Sequence, residues 1–380
     1  MDEQTLIETI GTTNKKTETN EIILLRAIHS QSHSAGELAD ITDISRQTVY
    51  DSLDPLVDAG VVDNRRAEYT VNGSGAILLR TYTEFDPVTQ EGMTLFAANA
   101  NHYRLFDTLT TQPATKRELE TLLNGPSRKT VYRWLQDFET NGWIMRNTAG
   151  TYELTAAGYD LLQTYEAFTA TCTQLLEKQP CLRHLGVECA DLPVHALDEA
   201  RMETSIPSSP YRENNEYIDF LERLNEHEYE QIRHFSSYFD FGASKAYTPF
   251  VDAGVQLDFI SPVAALGQLP TAPEKVNEVR KGFDASNVAW YLYSGSLPTG
   301  LAIFDREWVV ITPADPFSAT ARGTIFTKND QIIDWAATLY ERYLSDADPA
   351  TEFLAVFRSF ANAYLDTVVD ELPQLGRSQD

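Results

Sequence analysis

Ser45-Arg46-Gln47-Thr48-Val49-Tyr50 returns 82 residues later as Ser127-Arg128-Lys129-Thr130-Val131-Tyr132. The register holds beyond that stretch: Leu53 aligns with Leu135, Leu56 with Phe138, Gly60 with Gly142 and Val62 with Ile144. Self-similarity at one fixed spacing over that many positions marks a duplicated structural unit. In each copy the apolar residues (Val49, Leu53, Leu56; Val131, Leu135, Phe138) recur at helical spacing, so they form one core-facing stripe. The serine ahead of each stripe suits an N-cap, where its hydroxyl accepts an otherwise orphaned backbone N–H. The glycine behind it suits the left-handed residue that ends a helix.

Working outward, residues 21–29 and 103–109 carry apolar residues at helical spacing. Residues 35–41 and 116–123 read as short helices capped by Ser34 and Thr115. Thr42-Asp43-Ile44 and the one-residue-longer Asn124-Gly125-Pro126 make the turns into the serine-capped helices. After each glycine the period changes to two. Residues 61–71 and 143–154 read as strand, polar tip, strand. Three helices followed by a hairpin, in this order and twice over, predict two tandem winged helix-turn-helix modules.

Both copies follow the line Ser-x-x-Thr-Val-x-x-x-Leu-x-x-Leu-x-x-x-Gly, with Phe138 for the second leucine. In this they resemble the bacterial and archaeal winged-helix regulator superfamily, over residues 18–84 and 98–178. The resemblance implies binding to double-stranded DNA, with the serine-capped helix in the major groove. Candidate base readers are Arg46, Gln47 and Tyr50 in the first copy and Arg128, Lys129, Tyr132 and Arg133 in the second. Arginine can be bidentate to guanine and glutamine to adenine. Thr48, Thr130 and the tyrosine hydroxyls suit phosphate contacts that set register, and the capping Ser45 and Ser127 belong to the same candidate DNA-binding set. Arg65, Arg66 and Arg146 fall at the wing tips. Asp51 stands where the second copy has Arg133, and Arg46 lies near it in sequence, so the second helix is expected to be the stronger reader.

Composition tempers that reading. The formal net charge is −26, the wrong sign for a simple electrostatic grip on DNA. Residues 1–178 hold 15 basic and 25 acidic side chains, leaving −10, and residues 179–380 hold 15 and 31, leaving −16. The balance resembles proteins of extreme halophiles, where a Debye length of about 3 Å in molar salt lets a local basic contact act despite a distant acidic face. No apolar run approaches the roughly 20 residues of a membrane helix, and the N-terminus has no signal-peptide pattern, so a cytoplasmic protein is expected. Cys172, Cys181 and Cys189 make no CxxC pair. Cys181, His184 and Cys189 lack a fourth zinc ligand at a recognised spacing and read as buried small residues with a surface histidine. No metal or cofactor is expected.

From about Pro180 short apolar runs (257–260, 288–292, 301–304, 308–311) alternate with amphipathic stretches at 217–227 and 331–344, the pattern of an α/β domain in two or three layers. Asp252 to Leu257, Pro298 to Asp305 and the 333–343 helix resemble the C-terminal domain of archaeal methanogenesis-type filament regulators, and more remotely the sugar-sensing TrmB family. The latter is related to the phospholipase D fold, whose chemistry needs His-x-Lys-x4-Asp. None of the seven histidines precedes a lysine by two residues, and Walker, GxGxxG, GxSxG and HExxH motifs are missing as well. No enzymatic activity is expected. Tyr247, Phe259, Trp290, Tyr291 and Tyr293 read as strand aromatics of the core, with a small-molecule effector pocket as the alternative.

The expected architecture is therefore an α/β multidomain chain. It comprises winged helix-turn-helix modules at 1–85 and 86–178, an α/β sensory or dimerisation domain at 179–345, and a C-terminal helix with a polar tail at 346–380. The expected function is a sequence-specific, ligand- or state-responsive transcriptional regulator. The alternative is an interaction scaffold that uses its winged helices as docking modules in the transcription machinery. Residues 351–372 place Phe353, Leu354, Val356, Phe357, Phe360, Tyr364, Leu365 and Val368 around much of one helix, more apolar surface than one side of a small domain covers. A homodimer built through residues 179–380 is thus predicted. Light scattering at micromolar concentration in molar salt should return twice the 42.7 kDa chain mass; a monomer would remove the idea.

Overall fold

A computed structural model describes residues 1–11, 19–123, 125–204, 215–237, 241–269, 272–315 and 320–361. Asn124 of the second turn and residues 362–372 of the expected terminal helix lie outside them. The chain divides into two compact units, Met1–Gln179 and Pro180–Asp380.

The first unit opens with helix α1 (Glu3–Ile10), whose Leu6, Ile7 and Ile10 are fully buried. The first repeat follows as α2 (Asn20–Ala27), a two-residue strand β1 (His33–Ser34), α3 (Ala35–Thr42), α4 (Arg46–Asp58) and the hairpin β2 (Val62–Arg65) with β3 (Glu68–Val71). Next come α5 (Gly73–Thr83) and α6 (Pro87–Ala98). The second repeat is α7 (Ala100–Thr111), α8 (Lys116–Leu122), α9 (Arg128–Thr140), hairpin β4 (Ile144–Arg146) with β5 (Tyr152–Leu154), and the 22-residue α10 (Ala156–Glu177). The expected caps are in place. Ser34 and Thr115 close capping boxes with Glu37 and Glu118. Ser45 and Ser127 each accept the N–H of the threonine three residues on. Gly60 and Gly142 adopt φ of +72° and +75° just beyond α4 and α9.

The repeat runs further than the quoted residues. His33 pairs with Tyr69 at the hairpin edge of the first copy, and Ala114 pairs with Tyr152 in the second. The side chain after each hairpin reaches back to the glycine carbonyl before it: the Asn72 amide donates to the Gly60 carbonyl at 2.9 Å, and the Thr155 hydroxyl to that of Gly142 at 2.6 Å. One turn later, Gly75 and Gly158 bring their helices so close that an added Cβ would lie 2.0 Å from the carbonyl oxygen of Val61 and Trp143 respectively. Each hairpin is thereby strapped to the helix that follows it.

The two repeats are not separate bodies. Helix α10 of the second packs on α5 and α6, with Phe168 against Tyr82 (5.9 Å between ring centres) and Phe85 (5.6 Å), and Tyr165 against Phe96 (5.2 Å). Helix α1 covers α6 and α10. The boundary expected at 85/86 falls inside this packing, because aromatic residues of the connecting helices form one shared core rather than a linker.

The second unit carries the expected α/β architecture. Its strands are β6 (Arg201–Glu203), β7 (Gln231–Phe235), β8 (Gln256–Pro262), β9 (Val288–Tyr293), β10 (Gly300–Phe304), β11 (Trp308–Thr312), β12 (Ala314–Asp315), β13 (Thr320–Ala321), β14 (Thr324–Thr327) and β15 (Asp348–Pro349). Eight of them form one mixed sheet ordered β15-β9-β8-β7-β10-β11-β14-β6, in which β7, β8 and β9 run parallel and the other pairs antiparallel. One face buries Phe220, Tyr247, Phe250, Phe259 and Phe304 against the helices between β6 and β8. Helix Asp330–Ser345 lies on the other face, with Tyr343 edge-on to Phe235 and Tyr293. Residues 351–361 form a helix that belongs to this unit: Phe357 and Ala361 pack on Val276, Val279 and Phe283.

Gly75→Ala and Gly158→Ala should each destabilise the protein by about 1–3 kcal/mol, since the methyl meets backbone that cannot swing aside as a flexible side chain would. Gly36→Ala, where a Cβ has only the Ser34 hydroxyl at 3.9 Å, should be neutral or stabilising in a helix. Guanidinium unfolding midpoints of the three variants would check this; equal midpoints for all three would contradict the close approach.

Candidate nucleic-acid interface and effector cavity

Helices α4 and α9 bury Val49, Leu53 and Leu56, and Val131, Trp134, Leu135 and Phe138, as their spacing demands. That leaves Arg46 and Gln47, and Arg128, Lys129, Tyr132 and Arg133, exposed on their outer faces, with Tyr50 half-buried. Thr48 and Thr130 are half-buried, and their hydroxyls are taken by Ser45 and Ser127 at 2.8 Å, so these four groups first serve the caps.

The charge environment differs from the one expected. Asp51 does not hold Arg46. It accepts a hydrogen bond from Gln47 at 2.8 Å, while Arg46 reaches the Tyr50 hydroxyl at 3.3 Å and lies over its ring. Nor is the second helix free of acid: Glu120 of α8 pairs with Arg128 at 3.5 Å. The reason is tertiary, because residue 120 comes beside residue 128 only once the turn has folded. Lys116, passed over in the sequence, caps the ring face of Tyr132 at 3.8 Å and adds a cation beside α9. Its place at the first position of a helix preceding the serine-capped one was the available signal.

At the wings, Arg66 and Ala67 form a two-residue turn with φ of +56° and +66°. This is the turn whose twist suits a hairpin, and it projects Arg66 into solvent. Arg65 pairs with Asp63 at 3.5 Å. In the second wing Arg146 is exposed and donates to the Gly150 carbonyl at 3.4 Å.

The second unit contains a cavity of about 80 Å³, lined chiefly by Tyr217, His234, Tyr247, Phe259 and Trp290. Three of the five aromatics expected for a pocket are therefore together. Tyr291 and Tyr293 are not. Successive strand residues point to opposite faces, so Tyr293 meets Tyr343 beneath the sheet while Trp290 stacks on Phe259 above it. His234, absent from the expected set, lies at the cavity wall with Phe259 edge-on at 5.4 Å. It alternates correctly with Ile232, which was the available signal. Burial alone drives its pKa from the ordinary 6.5 to about 3. Tyr217 and Tyr247 share a hydroxyl hydrogen bond, and burial pushes the Tyr247 phenol up. In the first unit, burial likewise lowers His102, whose ring stands edge-on to Trp134 at 4.5 Å and bonds the Leu95 carbonyl at 2.9 Å.

Comparisons with known proteins bear on both units. A family profile described as the HVO_A0261 N-terminal domain matches twice, over residues 17–91 and 90–175. One described as the methanogenesis regulatory protein FilR1, middle domain, matches residues 210–346. The double match coincides with the repeat, and the second gives the α/β unit a counterpart in a regulatory protein. No curated protein matches the chain. Among solved structures, TrmBL2, an archaeal chromatin protein, is 14% identical with a TM-score of 0.30, covering 72% of this chain and 97% of its own. The phospholipase D family member Nuc from Salmonella typhimurium is 12% identical with a TM-score of 0.31, over 40% and 96%. NucT from Helicobacter pylori is 13% identical at 0.30, over 40% and 98%. Among the described residues no helix is long and apolar enough to cross a membrane.

The half-buried but desolvated His234 gives a signed pH dependence. The folded state keeps His234 neutral, whereas the unfolded chain takes up a proton near pH 6.5, so between pH 6.5 and about 3 the unfolded state binds more protons. Stability must fall as pH is lowered through that window, by about 1.4 kcal/mol per pH unit for one such group. Denaturant midpoints at pH 7, 6 and 5 should decline more steeply for the native chain than for His234→Phe; parallel declines would rule out a neutral buried imidazole.

Proposed function

We propose that this protein is a sequence-specific DNA-binding transcriptional regulator whose two repeats are tandem winged helix-turn-helix modules. The observation that carries the reading is the pair of serine-capped helices, α4 and α9. Each is anchored by a buried apolar stripe and exposes polar side chains at its N-terminal end, Arg46 and Gln47 on α4 and Arg128 and Lys129 on α9, with wing arginines on the following hairpin. An exposed helix N-terminus beside Arg and Lys suits phosphate as well as base edges. TrmBL2 is described as showing a novel mode of DNA binding, which agrees with this reading without adding to its weight. The second unit then acts as the responsive and dimer-forming part. Val356 and Phe360 of the 351–361 helix are 69% and 58% exposed, an apolar pair suited to a second copy.

Arg46, Lys129 and Arg133 have no acidic partner among the described residues, while Arg128 shares Glu120. Alanine at Arg46 or Arg133 should therefore weaken binding to a cognate upstream DNA by about 1–3 kcal/mol each if it reads a base. Lys129→Ala, as a phosphate contact, should weaken all sequences alike and flatten the salt slope by about one unit. Glu120→Gln, by freeing Arg128, should tighten binding. Gel shifts across a potassium series, with circular dichroism to confirm folding, make the comparison. Unchanged binding in all four variants would mean that α4 and α9 do not touch DNA.

A further inference from the structure

A groove of about 370 Å³ opens on the first unit, with Gln4 of α1, Tyr103 of α7 and Glu166 of α10 among the residues that line it. That is the size of a small-molecule site. Phe96, Tyr103 and Tyr165 give it an aromatic wall, and small residues such as Ala100 and Ala170 leave the space in front of that wall open. Phe96 and Tyr165 are buried, whereas Tyr103 is half-buried. Phe96 meets Tyr103 at 79° and Tyr165 at 81°, with 6.3 and 5.2 Å between ring centres, so the rings form a corner rather than a flat stack. A ring face attracts a cation placed within about 6 Å of its centre.

The charges around the corner favour the same kind of occupant. The Tyr103 phenol donates to the Glu166 carboxylate at 2.9 Å, which holds an exposed anion on the groove wall. Burial, then that hydrogen bond, then the charges of Glu166 and Asp107 push the Tyr103 phenol up to about 12. Tyr165 is pushed up by burial first; its hydrogen bond with Thr169 opposes the shift, and Glu3 and Glu8 of α1 add to it. Helices α1 and α10 carry Glu3, Glu8, Asp160, Glu166 and Glu177 and no lysine or arginine, while α7 carries Asp107 and Arg104. A concave site bordered by one sign of charge concentrates counter-ions. An inorganic cation, tightly hydrated, gains nothing from an apolar wall. An organic ammonium ion gains both the burial of its carbon surface and the attraction of the rings.

We propose that this groove binds a small organic cation, an ammonium group on an apolar body, with its charge beside Glu166 and its body against the Phe96–Tyr103–Tyr165 corner. The site belongs to the first unit and is distinct from the cavity of the second. Its wall is continuous with the core beneath α9: Phe96 meets Phe106 at 4.7 Å, and Phe106 meets Phe138 at 5.2 Å. An occupant that displaces Phe96 would therefore press on a helix offered above to DNA. That regulatory meaning rests on the DNA-binding reading; uptake of the cation does not.

Benzyltrimethylammonium serves as the probe, with benzyl alcohol as its neutral counterpart and benzoate as its anionic one, all at constant total salt. The cation should raise the melting temperature of the full chain, and the other two should not. Glu166→Gln keeps an acceptor for Tyr103 and removes the charge; it should weaken the cation about threefold to fivefold. Ala170 is exposed on α10, so Ala170→Leu should occupy the groove and abolish the response while the unliganded melting temperature stays within a few degrees. Benzoate or benzyl alcohol acting as strongly as the cation, an unchanged response in Glu166→Gln or in Ala170→Leu, or no response to the cation would each overturn the proposal. These readouts need no DNA. Their failure with intact gel shifts removes the groove alone, and lost gel shifts with intact cation uptake remove the DNA-binding reading alone.

Discussion

The packing of α10 on α5 and α6 is the contact on which the first unit depends. Phe168 lies between Tyr82 and Phe85, and removing a buried aromatic of this kind typically costs about 3–5 kcal/mol. Without that seam the chain would hold two small modules on a tether, each with a thin core of its own. With it, α4 and α9 belong to one body, and α1 closes over the seam with three fully buried aliphatic side chains.

Within each module a second constraint sets the wing. The glycine after α4 or α9 turns the chain, the hairpin follows, and the polar residue after the hairpin returns a hydrogen bond to that glycine's carbonyl. The closest helix approach comes at Gly75 and Gly158, where no Cβ fits. Hairpin and serine-capped helix are thus fixed to the same few backbone atoms.

The second unit makes a different compromise. A sheet with helices on both faces buries most of its aromatic residues, yet beside β7 and β8 a cavity persists, lined among the described residues chiefly by Tyr217, His234, Tyr247, Phe259 and Trp290. Desolvation of His234 there costs stability at low pH, where the imidazole resists protonation. Structures retain such costs at sites that bind something.

Much of this was legible beforehand, because it is local. Caps, helical stripes, the glycines beyond α4 and α9, the hairpins and the 82-residue repeat all follow from the conformational preferences of neighbouring residues. Those preferences act over a turn or two of chain. The α/β texture of the second half was legible for the same reason, as were Tyr247, Phe259 and Trp290 as possible cavity residues. Tyr291 and Tyr293 could have been set aside on strand alternation alone. The charge partners could not be read. Glu120 beside Arg128, Lys116 over Tyr132, and Asp51 with Gln47 rather than Arg46 depend on how helices meet and which rotamers that leaves open. The shared core of the two repeats and the packing of residues 351–361 on the α/β unit were likewise decided in three dimensions. Apolar faces announce that they will be buried, but only the folded chain selects the surface that buries them.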